Sequence, residues 1–80
     1  MAETTVRLLL TCLEADECSV FFEPEGADIT LQRGRKLFVE ITGPGQATPE
    51  VSYIPSGILV GAWQGARTSV WDETGKEVRV

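Results

Sequence analysis

Apolar and polar residues alternate along much of this chain, which is the pattern of strands that bury one face. The alternation is clearest on both sides of Gly34, where apolar side chains occupy every second position. Folding this run about Gly34 pairs Leu31 with Leu37 and Ile29 with Val39, so that all four side chains lie on one face. The pattern therefore predicts a β-hairpin at this point.

The first apolar segment, residues 4–13, fits two periodicities, because its apolar positions suit either a strand or one face of a helix. A strand is favoured, since residues 18–22 alternate in the same way after the acidic turn at 14–17. Pairing Cys12 with Cys18 joins the two apolar stripes on one face. We predict a hairpin here, with a helix over 4–13 as the alternative.

The end of the chain predicts a further hairpin, in which a type I turn over residues 72–76 is closed by Gly75 in the left-handed region. This turn determines the register of the two strands. Val70 lies opposite Val78 and faces the core, whereas Trp71 points to the other face.

Two more short strands are predicted at 51–54 and 58–64, after a loop rich in Gly and Pro at 43–49. Short strands at about ten-residue intervals are typical of small sandwiches and barrels. We predict an all-β fold, a small antiparallel β-sandwich or barrel of about 6–8 short strands built from hairpins. A chain of 80 residues is expected to form a single β domain over 1–80.

The chain is acidic, with 7 Lys and Arg against 12 Asp and Glu and a net charge of -5. Phosphate backbones and anionic lipid surfaces repel such a chain, so neither nucleic acid nor a membrane is an expected partner. No apolar run approaches the roughly 18 residues that cross a bilayer. The start of the sequence lacks the pattern of a secretory leader, so we expect a cytoplasmic protein, with earlier removal of a signal peptide as the alternative.

The sequence contains no His, the residue type that most often acts as general base and binds metals. Cys12 and Cys18 stand beside Glu14, Asp16 and Glu17, whose charges disfavour a reactive thiolate. We interpret both cysteines as small core residues, close together and reduced in a cytoplasmic protein. We therefore expect that this protein is not an enzyme and that it binds neither a metal nor a cofactor.

The candidate binding residues are aromatic side chains and the arginines near them. They are Trp71, Trp63, Tyr53, Arg67 and Arg79. Aromatic residues on a strand face are typical of recognition surfaces, and guanidinium groups stack on indole rings. We predict a small soluble non-catalytic protein-interaction module or accessory subunit that self-associates, with a homodimer as the expected form. The alternative is a carbohydrate- or small-ligand-binding β module that uses Trp63, Trp71 and Tyr53.

Overall fold

The computed structural model describes residues 2–80, which form eight β-strands. The strands are Glu3–Thr11 (β1), Glu17–Glu23 (β2), Ala27–Gln32 (β3), Lys36–Pro44 (β4), Glu50–Ile54 (β5), Gly57–Gly61 (β6), Arg67–Asp72 (β7) and Glu77–Val78 (β8). Sheet A has the order β1-β4-β7-β8 and sheet B the order β3-β2-β6-β5. The predicted all-β sandwich is confirmed. The barrel alternative is wrong, because the two sheets remain separate.

The core lies between the two sheets and is built from the inward-facing half of each alternating segment. Its buried residues are Cys12, Val20, Phe22, Leu31, Leu37, Val39, Ile41, Val60 and Val70. The prediction that Leu31, Val39 and Val70 are core residues is confirmed, and Val78 is half-buried against the same cluster. Residues 4–11 belong to strand β1, so the helix alternative for this segment is wrong.

The hairpin at the end of the chain has the predicted register. Val70 pairs with Val78 and Trp71 pairs with Glu77. The amide of Asp72 donates a hydrogen bond to the Lys76 carbonyl over 2.9 Å, and Gly75 has a φ of 88°. Local turn chemistry was enough to predict this pairing, because the two strands are adjacent in sequence.

The two hairpins predicted in the first half are wrong. β1 pairs with β4, placing Leu8 opposite Val39, whereas β2 pairs with β3 and, in parallel, with β6. The connections at 12–16 and 33–35 each cross from one sheet to the other. A crossing connection leaves the alternation of both strands unchanged, so the pattern alone does not distinguish it from a hairpin.

The two crossing connections contact each other at one end of the sandwich. The Gly34 amide donates to the Cys12 carbonyl over 2.7 Å, and the Arg33 amide donates to the Asp16 carbonyl over 2.9 Å. Cys12 and Cys18 form a disulfide with their Cα atoms 5.8 Å apart. The predicted proximity of the two cysteines is confirmed, but the prediction of two reduced thiols is wrong.

The disulfide joins the connection that leaves sheet A to the first residues of β2 in sheet B. The disulfide closes a short loop, with a sequence separation of 6 between the two cysteines. It is a covalent link between two sheets that share no strand pairing among the strands described. Disulfides persist mainly in oxidising compartments. The disulfide therefore does not support the expected cytoplasmic location, which stays a prediction.

Candidate protein-interaction surface

Three apolar side chains form a row across the solvent-facing side of sheet A. Leu9 on β1 pairs with Phe38 on β4, and Phe38 pairs with Trp71 on β7. Directly paired residues point to the same face of a sheet, and the neighbouring Val39 and Val70 point into the core. Leu9 is 54% exposed and Phe38 is 43% exposed, while Trp71 is half-buried. We call Leu9, Phe38 and Trp71 the outer row.

An ion pair lies beside the outer row. Arg7 pairs with Glu40 across β1 and β4, and its Nε donates to a Glu40 carboxylate oxygen over 2.9 Å. Both residues line a cavity of about 190 Å³ together with Phe38 and Trp71. The pair is exposed to solvent, so it adds little to stability. Because Arg7 and Glu40 bind each other, the two charges next to the apolar row are already paired.

Arg67 shares the outer face with Trp71, but its guanidinium is engaged at the opposite end of that face. Two of its nitrogens donate to the two Glu3 carboxylate oxygens over 3.1 and 3.2 Å. This hydrogen bonding, reinforced by charge attraction, lowers the pKa of Glu3 and raises the pKa of Arg67. Arg67 lies four residues from Trp71 along β7, roughly 13 Å at the usual strand rise.

The remaining predicted residues lie elsewhere. Trp63, in the connection between β6 and β7, packs against the core and donates its Nε1 hydrogen to the Pro44 carbonyl over 2.9 Å. Tyr53 lies on β5 of sheet B and is 92% exposed. Arg79 is exposed and follows β8. The structure therefore does not bring Tyr53, Trp63 and Trp71 together in one site.

Two members of the outer row, Leu9 and Phe38, are not among the binding residues predicted from the sequence. Both interrupt the alternation, because Leu9 stands within Leu8 to Leu10 and Phe38 stands between Leu37 and Val39. Consecutive apolar residues in a strand place apolar side chains on both faces. That interruption was the available signal for an apolar outer face.

The two sheets differ in charge. The strands of sheet B contain four carboxylates and no Lys or Arg, the carboxylates being Glu17, Glu23, Asp28 and Glu50. The strands of sheet A contain both signs, and two of their cations are paired with carboxylates. The acidic character of the chain is therefore concentrated away from the outer row.

Within residues 2–80, His, Cys, Asp and Glu form no group of three or more that could hold a metal ion. The same residues include no helix with the length and apolar character that crossing a bilayer requires.

Comparison with known proteins gives no relative for this chain. No protein-family model, no curated protein and no solved structure matches it.

Proposed function

We propose that this chain is a non-catalytic protein-interaction module that contacts a protein partner through the outer row of sheet A. The observation that carries the proposal is the direct pairing of Leu9, Phe38 and Trp71 across three neighbouring strands on the solvent side. Side chains of this kind cluster at the centre of interfaces, where aromatic anchors contribute most of the binding energy.

The shape and charge of the face favour a protein partner. The outer row lies on an open sheet surface, and the adjacent Arg7 and Glu40 are engaged with each other. A partner with a flat apolar surface covers the row without leaving a buried charge unpaired. Stacking of one sheet face on another is a common way to bury such a surface.

The alternative function is binding of a carbohydrate or another small ligand. Sites for such ligands usually enclose about 300 to 1,000 Å³. The cavity beside Trp71 measures about 190 Å³, and a larger cavity of about 320 Å³ beside Tyr53 is lined by neither tryptophan. Tyr53 and Trp63 lie on other parts of the molecule. We therefore favour a protein partner. Tryptophan fluorescence in the presence of sugars distinguishes the two functions, because a ligand stacked on Trp71 changes its emission.

Self-association belongs to the same proposal. A small sandwich has a thin core and leaves strands at the edges of both sheets, and pairing of two copies relieves both conditions. A cytoplasmic location is retained as a prediction only.

The test compares partner binding by the parent and by outer-row variants. A tagged parent is used to recover a partner from the source cell, and the purified partner is then titrated against each variant. Trp71→Ala is expected to raise the Kd roughly thirtyfold, as is typical when an aromatic anchor is lost. Phe38→Ser is expected to weaken binding in the same direction.

Thr30→Ala is the matched control, because Thr30 is exposed on sheet B, away from the outer row. It should bind as the parent does. Circular dichroism checks that each variant is folded. A partner that binds Trp71→Ala and Phe38→Ser as tightly as it binds the parent would remove the outer row from the contact surface.

A further inference from the structure

Strand β5 forms one edge of sheet B, and its core-side residues are uncovered. Tyr53 pairs with Ile58 and Val51 pairs with Val60. Ile58 packs against the core and Val60 is part of it, so Val51 and Tyr53 point to the core side of the sheet. Yet Val51 is 54% exposed and Tyr53 is 92% exposed.

The reason lies in how the two sheets overlap. A cavity of about 280 Å³ is lined by Leu31 of β3 together with Leu37 and Val78 of sheet A. The β3 edge of sheet B therefore lies across from the β8 side of sheet A. β3 and β5 are the two edges of sheet B, and β8 and β1 are the two edges of sheet A. Because β3 lies across from the β8 edge, β5 lies on the same side of the sandwich as the β1 edge.

Sheet A does not extend far enough to cover β5. The core-side residues of β1, including Val6 and Leu8, are themselves only half-buried. The cavity of about 320 Å³ is lined by Tyr53, Ile58 and Cys18. The sandwich is thus open along β5, where Val51 and Tyr53 are exposed.

The other edge strands offer less apolar surface. β8 has only two residues, and Leu31 on β3 is buried. Leu8 and Leu10 on β1 are half-buried against the core, and Leu9, on the outer face of β1, is 54% exposed, less than the 92% of Tyr53. Among the strands that the structure describes, no strand pairs with the outer edge of β5. Of the four edges, β5 is therefore the one where added chain buries the most exposed apolar side chain.

We propose that the occupant of this edge is a second copy of the chain, with two β5 strands paired antiparallel about Ser52. In this register Val51 of each copy lies opposite Tyr53 of the other, an aromatic and β-branched pair of the kind that stabilises sheets. Glu50 lies opposite Ile54, so no two carboxylates face each other. The two Glu50 side chains are four residues apart along the ladder, beyond the screening length at physiological salt.

The ends of β5 limit the length of the ladder that can be added at this edge. Pro49 and Pro55 flank the strand immediately outside its two ends, and proline has no backbone N–H to extend a ladder. The usable edge is five residues long, with apolar side chains on the core side. A second β5 meets both conditions.

This inference deepens the self-association included in the proposed function. A two-fold axis through the Ser52 pair is perpendicular to the joined sheet, so both copies keep their core sides in the same direction. The outer rows of both sheet A surfaces then point to the same side of the dimer. Such a dimer presents two copies of the contact surface to one partner assembly, which raises avidity.

Sedimentation of variants that carry an added lysine tests whether β5 is the interface between the two copies. The parent is expected to sediment as a dimer at micromolar concentration, and Tyr53→Lys is expected to raise the dimer Kd at least tenfold, because a charged side chain then lies at the joined edge. Thr30→Lys, on the opposite edge strand of the same sheet, is the matched control and should dimerise as the parent does. A monomeric parent at 500 micromolar, or a Tyr53→Lys variant that dimerises like the parent, overturns the inference.

A cysteine on the proposed axis tests the register. Both native cysteines are joined in a disulfide, so Ser52→Cys introduces a single thiol that lies directly opposite its counterpart. Mild oxidation is expected to convert this variant almost fully into a covalent dimer, whereas Thr30→Cys stays unlinked. Absence of linkage at Ser52→Cys, or equal linkage at both positions, overturns the register.

A third comparison separates this inference from the proposed function. Phe38→Ser and Trp71→Ala should dimerise as the parent does while losing the partner. If these two variants are monomeric and Tyr53→Lys is dimeric, the outer row is the surface between copies and the β5 interface is wrong. If Tyr53→Lys alone is monomeric and the outer-row variants bind partner normally, the β5 interface stands and the proposed contact face fails.

Discussion

Phe38 on β4 and Trp71 on β7 are directly paired residues on the solvent side of sheet A. Their sequence neighbours Val39 and Val70 are also paired, but they point into the core, where they are 1% and 0% exposed. One pair of strands thus contributes to the core on one side and to a candidate contact surface on the other. This arrangement supplies matched substitutions at adjacent positions.

We predict that Val39→Ala lowers the free energy of unfolding by about 1 to 4 kcal/mol, because it leaves a cavity in a closely packed core. Phe38→Thr should cost clearly less, since Phe38 is 43% exposed and threonine suits a strand. Urea denaturation monitored by circular dichroism measures both. Equal losses at the two positions would contradict the assignment of Phe38 to the outer face.

We predict that reduction of the Cys12–Cys18 disulfide lowers the free energy of unfolding by about 2 kcal/mol, the value that chain entropy indicates for so short a loop. Urea denaturation with and without dithiothreitol measures the difference. A variant with both cysteines replaced by alanine is the control, because its unfolding should not respond to the reductant. Thiol titration should detect no free thiol in the oxidised parent, and detection of two would show that the bond is absent.

We predict that the carboxyl group of Asp72 titrates below its ordinary pKa near 3.8. The main cause is a hydrogen bond from the Thr74 hydroxyl, with further hydrogen bonds from the Thr74 and Lys76 amides over 2.9 and 3.1 Å. Because the folded state favours the ionised form, this contribution to stability is present above pH 3.8 and is lost as the pH falls through the lowered pKa. Thr74→Ala should raise the Asp72 pKa toward its ordinary value.

Carboxyl chemical shifts followed through an NMR pH titration provide the measurement. Glu3 serves as the internal control, because its pKa is lowered by Arg67 at the other end of sheet A. Its titration should be the same in the parent and in Thr74→Ala. An Asp72 pKa that does not change in Thr74→Ala would exclude the hydroxyl as the main cause.

We predict that Gly57→Ala is more destabilising than Gly75→Ala. Both glycines have positive φ, 153° and 88°, which costs a non-glycine residue about 1 to 3 kcal/mol. A Cβ at Gly57 would in addition lie 2.1 Å from the Ser19 carbonyl oxygen, whereas a Cβ at Gly75 would meet nothing within 4 Å. Thermal unfolding of the two variants measures the contrast. A similar loss for both would mean that β2 and β6 are not paired as closely as the structure shows.

The residues that face the core could be predicted from the sequence, because side chains alternate strictly along a strand. Val39 and Val70 follow from this period alone. The register of β7 and β8 was also predictable, since Gly75 and the residues around it specify a tight turn within a few positions. These features depend on interactions between residues that are close in sequence.

The partners of the other strands were decided by tertiary structure. A hairpin that pairs Cys12 with Cys18 would place Leu8 opposite Phe22. Instead Leu8 pairs with Val39, and β2 pairs with β6 in parallel, although alternation is equally compatible with hairpins. The choice between folding back and crossing to the other sheet depends on how two whole sheets bury their apolar faces together. The candidate surfaces follow from that choice: Leu9, Phe38 and Trp71 meet only because β1, β4 and β7 are neighbours in sheet A, and Tyr53 is exposed only because sheet A ends before β5.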